Sequence, residues 1–550
     1  MVKQRTLHLG AAAALAALLV GSAGHARAAH PGSRAGTAPH TSTTLVYGVT
    51  ESPDTLNPNI SGLETTGDLA SAVFDFLVGA DTQGNFTPDL ATSWGVSSDK
   101  LTYTFHLRHG VRWADGQPFT AKDVVFTYKQ IMNPKNNTAT ATGFDHITSA
   151  DTPDNYTVIF HTKKVFAPFL ADVGQAFILP AHYFEHSSTF LKDHGYNHDS
   201  FDRKPFGTGP YVVSEWKTAD HITLVPNKYY WGQKPYFQKV IYKIVPSVNT
   251  MLVQLRTGEV QMSGITQQQV QLAKALPGKT LFSRPGQQWH HIDLKQEGFL
   301  RDQQVRVALD YATPKEEILK TVLHGYGQVD WGGDIAPSSW AYNPDVPRHY
   351  FNLKTAAAML SKDGFTKGSD GYLQKGGQEL YIQLWYINTS AIDAQIDQIL
   401  KYEWSQIGVK VDLHQEDVDT IFGPNGPQFN HQMTGVSYSW FNGNDPDDGT
   451  YWQSSQIPTC PTCAGNNVVA YFHKFSFQTQ IDNLTNAGLT TVDRAQRKAI
   501  YAKVETLLSE QDPAIFLYWA PDLSVAPITL KGYNPNAFNH VFWNVAQWRY

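Results

Sequence analysis

The sequence predicts an α/β protein built from more than one lobe, on three observations. Its 550 residues exceed what a single core accommodates. Strand and helix patterns alternate along the chain, as layered α/β folds require. The clearest helices end at turn residues and hand over directly to strands. Ile392, Ile396, Ile399, Leu400, Trp404 and Ile407 recur at helical spacing, stop at Gly408, and precede an alternating strand over 409–413. Residues 495–509 form a further amphipathic helix that ends before Pro513 and a strand over 514–519.

Taken in order, the chain opens on what reads as a secretory signal over 1–28. Lys3 and Arg5 supply the basic start, 10–20 the apolar run, and Ala26-Arg27-Ala28 a small-x-small cleavage site. That run falls short of the roughly 20 apolar residues that span a bilayer. Cleavage is expected near Ala28, and residues 29–43 read as a disordered leader, polar and rich in Pro, Gly, Ser and Thr. No Cys stands near the signal, so no lipid attachment is expected. The formal charge of −6 becomes more acidic once Lys3, Arg5 and Arg27 are removed, which leaves no basic footprint for nucleic acid. The 14 Trp and 26 Tyr suit a stacking pocket.

A strand is expected over 44–49. The run 87–127 then carries the most local information. Residues 103–107 and 111–113 read as two short strands joined at His109-Gly110. Asp115-Gly116 is a second turn, and Thr120 is a fitting N-cap for a helix from Ala121. The wording of this run resembles the extracellular solute-binding proteins of family 5, the oligopeptide-, dipeptide- and nickel-binding components of ABC importers. Further landmarks are similar: Leu56-Asn57-Pro58, Pro205-Phe206-Gly207-Thr208-Gly209-Pro210-Tyr211, Asn227-Lys228-Tyr229-Tyr230-Trp231 followed by Pro235, and the helical stretch 305–312.

The resemblance implies a two-lobed periplasmic-binding-protein fold, the large type II variant, with an inserted subdomain in the first lobe. Lobe I is expected over 44–60, 206–284 and 525–550, the insertion over 61–205, and lobe II over 285–524. Residues 288–294 and 514–519 are the expected approaches to the hinge. It further implies a monomeric periplasmic receptor, without catalysis or cofactor. Such a receptor captures a short peptide between closing lobes and delivers it to the membrane permease of an ABC transporter. An oligosaccharide or a metal chelate is the alternative solute.

The stretch 438–448 resembles the family segment in which a Trp precedes a carboxylate that grips a peptide's ammonium, a pair strengthened by burial. Here the spacing from Trp440 to Pro446 is one residue shorter. Asn442 or Gly443 falls at the gripping position, and Asp445 is the candidate substitute. Tyr438, Trp440 and Phe441 offer rings for stacking. Ser61-Gly62-Leu63 resembles the loop whose backbone pairs with an extended ligand. Trp385 and Tyr386, at the end of a strand, point to opposite faces, so one of them is expected in the cleft.

Two metal readings compete. His182, Glu185 and His186 fit the His-x-x-Glu-His pattern of a zinc hydrolase. His290 and His291 are adjacent in a strand and face opposite ways, so one is expected in the cleft. The only cysteines, Cys460 and Cys463, fall short of four zinc ligands and are expected to form a local disulfide.

Overall fold

A computed structural model describes residues 43–136, 138, 141–185, 200–441, 443–447, 449–461, 463, 465–470 and 473–550. The expected signal and all but the last residue of the leader lie outside the described residues. Two long antiparallel strands, Lys279–Leu294 and Ala514–Pro527, form the spine, paired from Lys279 opposite Pro527 to Asp293 opposite Ala514. Their register slips between Pro285 and Trp289, so the ladder is irregular midway along the pair.

One sheet runs through this spine. Beyond Ala514–Pro527 stand Met262–Ile265, Thr44–Val49, Lys239–Ile244, His221–Pro226 and Tyr211–Lys217, in that order. Beyond Lys279–Leu294 stand Gly435–Phe441, Tyr381–Ile387 and Lys410–Glu416. The pair Tyr381–Ile387 and Lys410–Glu416 is parallel and needs a crossover, which helix Ala391–Gln406 provides. Ile396, Leu400 and Trp404 are the buried stripe of that helix, against Ile382 and Leu384. Burying each of the two aliphatic side chains contributes about 1.5–3 kcal/mol. Gly408, at φ 86°, ends the unit in the left-handed conformation that glycine adopts without strain.

The buried side chains fall into separate cores on the two sides of the spine. Leu45, Tyr47, Val240 and Tyr242 meet Leu69 and Val73 of helix Glu64–Val73 and the C-terminal Phe542 and Trp548. On the far side, the second lobe buries Val436, Tyr438, Tyr451, Trp452, Tyr501 and Val504 on one face of its sheet, and Leu384 and Leu400 on the other. The inserted segment has its own core, in which Phe105, Val158 and Phe160 of a small antiparallel sheet pack on Val124 and Tyr128 of helix Ala121–Met132. Thr120 begins that helix in extended conformation, and its backbone N–H donates to Asp123 Oδ2 at 2.8 Å, half of a reciprocal capping box.

Three expectations need correction. Residues 111–113 are not a strand: Trp113 N bonds Gln117 O at 2.9 Å and Phe119 N bonds Val111 O at 3.0 Å, so the segment folds on its own turn. The strand expected over 514–519 continues to Pro527, because Pro521 and Asp522 sit beside the register slip, where a breaker costs little pairing. Finally, the insertion's core begins near Leu77 and ends near Ile178. Helix Glu64–Val73, placed within an insertion over 61–205, serves the first lobe's core instead. Among the described residues no helix is long and apolar enough to cross a membrane.

Candidate ligand-binding cleft

The two lobes meet beside the spine. Ala167 N donates to Leu489 O at 2.8 Å, Arg494 Nη1 to Asn85 Oδ1 at 2.8 Å, and Asn444 Nδ2 to Gln175 Oε1 at 3.2 Å and Phe538 O at 3.1 Å. A narrow recess opens here between Gln287 of the spine, Asp334 and Ser339, and the loop Gly443–Pro446. The segment singled out after Trp440 therefore lies at the lobe boundary. Asn442 falls outside the described residues; Gly443 stands at φ 90°.

Asp445 is buried and held by Arg497, whose Nη1 reaches Asp445 Oδ2 at 2.7 Å while Nη2 bonds the other oxygen. The guanidinium already occupies both carboxylate oxygens, so Asp445 is no free grip for an ammonium. Burial and then Asp445 push the neighbouring Asp447 carboxyl up to about 6. Burial, then Asp445 and Asp447, likewise raise Asp172 of the insertion above the ordinary carboxylate range. Helix Arg494–Gln511 supplies Arg497 from its buried face, a position that sequence reading passed over as one charge on an amphipathic helix.

The rings of strand Gly435–Phe441 divide by alternation. Tyr438 is a core residue and a correction to its expected place against ligand: its hydroxyl bonds Asp293 Oδ2 at 3.0 Å and the Tyr451 hydroxyl. His291 Nε2 joins the same network, 2.8 Å from Tyr451 Oη. Trp440 is half-buried at the edge of this core, its ring 5.3 Å from that of Tyr451. Phe441, at the strand end, is 56% exposed. Trp385 stacks on His414 with centroids 4.6 Å apart and leans on the core that holds Tyr438. Tyr386 turns the other way and donates to Gln415 Oε1 at 3.3 Å.

Of the two adjacent histidines, His291 is fully buried, whereas His290 is half-buried and stacks on Tyr518 at 4.4 Å. His182 Nε2 pairs with Asp115 Oδ2 at 2.7 Å; His186 and the Glu185 side chain lie outside the described residues. Among the described residues, one trio has metal-ligating spacing: Asp310, His349 and Asp512. Its imidazole Nδ1 stands 3.0 Å from each carboxylate and Lys315 Nζ 2.8 Å from Asp310, so two cations already balance the two acids. Cys460 and Cys463 are joined as a disulfide.

On the first lobe, Ser61 Oγ donates to Asp54 Oδ1 at 2.7 Å and accepts from Leu63 N at 3.1 Å. The serine thus folds toward its own lobe and leaves Gly62 exposed, with Leu63 half-buried as N-cap of helix Glu64–Val73. Gly207 and Gly209 close the other end of that helix. A Cβ on Gly207 would lie 2.0 Å from the Val73 carbonyl oxygen, which is why the Gly-Thr-Gly turn tolerates no side chain at its first position. Thr208 Oγ1 donates to Asp75 Oδ2 at 2.7 Å and locks the turn.

The comparisons with known proteins agree on a family. The model of bacterial extracellular solute-binding proteins, family 5 Middle, matches residues 85–458. The oligopeptide-binding protein AppA of Bacillus subtilis is 26% identical over 92% of this chain and 91% of its own. Its structure in complex with a nonapeptide superposes with a TM-score of 0.74, covering 92% of this chain and 98% of that one. The dipeptide-binding protein of Escherichia coli is 26% identical, over 92% of this chain and 94% of its own. NikZ from Campylobacter jejuni, solved in complex with Ni(L-His), is 26% identical with a TM-score of 0.78, covering 92% of this chain and 99% of that one.

Proposed function

Since the chain belongs to the bacterial extracellular solute-binding proteins of family 5, we propose that it captures a short peptide between its two lobes and hands it to an ABC importer. The observation that carries this reading is end-to-end similarity to peptide binders: the matches to AppA and to the dipeptide-binding protein each span at least nine-tenths of both chains. A spine of two strands with an irregular register between the lobes supports the same reading. Bending there changes the lobe angle while each lobe keeps its own core. The lobe division at 285 and 524 belongs to this proposal. So do a periplasmic site of action, a signal cleaved near Ala28, a monomeric state and the absence of catalysis.

Within the cleft, the exposed backbone at Gly62 pairs with an extended ligand, and Trp440 with Phe441 covers it from the second lobe. The ligand's contacts to both lobes bias the hinge toward closure. A metal chelate is the second reading, favoured by the similarity to NikZ. Small-angle scattering tests the mechanism: the radius of gyration falls when a peptide pool is added to stripped protein. Tight binding of peptide without compaction would overturn capture by lobe closure.

A further inference from the structure

Beside the strands of the spine, the second lobe reaches the first through a helix hairpin. Helices Gln478–Thr490 and Arg494–Gln511 turn about Asp493, whose Oδ1 accepts from Gln496 N at 2.8 Å. They approach closely: a Cβ on Gly488 would stand 2.8 Å from the Tyr501 hydroxyl. Arg497 donates to the Gly488 carbonyl at 2.7 Å and holds Asp445 of the cleft loop. The tip of the hairpin is thereby fixed to the loop that borders the recess.

The surface it meets belongs to the inserted subdomain. Leu489, half-buried, packs against the core that holds Phe166 and Phe169, and its carbonyl accepts from Ala167 N at 2.8 Å. Arg494 begins the second helix. Its guanidinium lies over the Trp340 ring, 4.9 Å from the centroid, and Nη1 donates to Asn85 Oδ1 at 2.8 Å. Asp81 presets that acceptor. Its carboxylate takes the Asn85 backbone N–H at 2.9 Å and Nδ2 at 3.0 Å, which leaves Oδ1 of the amide for the guanidinium. Gly84 of the same turn lies against Phe538, where a Cβ would meet the ring at 2.7 Å. The Phe538 carbonyl in turn accepts from Asn444 Nδ2 of the cleft loop at 3.1 Å.

The partners in this contact are placed by their own lobes: Asn85 by Asp81, Leu489 and Arg494 by their helices, and Asn444 by the loop that Arg497 anchors. Parting here therefore costs neither lobe its fold. Arg494 and Asn85 are exposed, so water readily replaces their bond. Contacts of this kind add little to the framework of either lobe and are suited to being made on closing and broken on opening.

We propose that the inserted subdomain is the latch of the receptor: on closure it takes up Leu489 and Arg494 of the second lobe and so sets how long a captured solute stays enclosed. The inference rests on the receptor reading above and gives the insertion its part in it. Because Arg497 and Asn444 tie the hairpin to the cleft loop, a solute that orders this loop favours docking, and docking favours the ordered loop.

The Ala167 amide reports the latch, since it is protected from hydrogen exchange while it donates to Leu489, and neither Asn85 nor Arg494 bonds it. Mature wild type stripped of copurifying solute, Asn85→Ala, Arg494→Ala and the double variant are compared with and without a tetrapeptide pool. Mass spectrometry with fragmentation follows exchange at Ala167, and small-angle scattering follows the radius of gyration. Both substituted side chains are exposed, so the variants keep their fold, checked by circular dichroism. The proposal expects the pool to compact wild type and to slow exchange at Ala167. Each single variant loses about two- to tenfold of that protection, the scale of one hydrogen bond, and the double variant loses no more than Arg494→Ala alone. Compaction of wild type with exchange at Ala167 unchanged by the pool overturns the latch and leaves the receptor. Full protection in both single variants does the same. A wild type that the pool does not compact overturns capture by closure, and the inference with it.

Discussion

Arg497 and Asp445 form a two-point ion pair at the lobe boundary, with Arg497 Nη1 2.7 Å from Asp445 Oδ2 and both side chains buried. Arg497 also donates through Nε to Gly488 O at 2.7 Å, which ties the pair to the neighbouring helix. The carboxylate that the sequence offers as a ligand grip is therefore part of the second lobe's framework.

Asp445→Asn is expected to destabilise the protein by about 3–5 kcal/mol, because it leaves a buried guanidinium without its counter-charge. Urea unfolding measures this. Unchanged stability combined with lost peptide affinity would instead return Asp445 to the ligand site.

Trp440→Ala is expected to weaken peptide binding by about 1–3 kcal/mol, as loss of a stacking ring does. Titration calorimetry reads the affinity. Unchanged affinity with lowered stability would make Trp440 wholly a core residue of the Tyr451 cluster.

Gly207→Ala is expected to cost more than 2 kcal/mol by about the scale of steric strain at closely packed backbone, since the new Cβ would meet the Val73 carbonyl at 2.0 Å. Thermal unfolding checks it. A melting temperature equal to wild type would show that the turn and helix Glu64–Val73 separate freely.

His349 gives the second lobe a pH-dependent stability term. Burial alone would lower its pKa, but hydrogen bonds to Asp310 and Asp512, and their charges, raise it from 6.5 to about 10. A raised folded-state value means that the imidazolium's contribution is complete below 6.5 and is lost as pH climbs through about 10. Unfolding curves for wild type and His349→Gln should therefore differ most at pH 6.5 and just below, and converge as the pH climbs toward 10. A gap constant across that window would rule out a charged His349.

How far the sequence reaches is clear from particular elements. Helix Ala391–Gln406 and the strand after Gly408 were legible because one face is apolar and the stop is a glycine in left-handed conformation. Helix Ala121–Met132 was legible from its cap. The landmarks around Trp113 and Gly207-Thr208-Gly209 carried the family, and with it the two-lobed fold, which no local pattern specifies.

Tyr438 was misread for a physical reason. Both faces of strand Gly435–Phe441 are covered at its centre, so alternation cannot say which side meets ligand. The extension of Ala514–Pro527 past Pro521 was hidden because pairing across the spine is a property of two distant segments.

Native mass spectrometry of the mature protein purified from its own host, with the released solute fragmented, tests whether this receptor carries a short peptide. A bound mass that breaks into a ladder of amino-acid differences is expected. A solute that fragments by hexose or pentose units, or one that carries a metal isotope pattern, would contradict it.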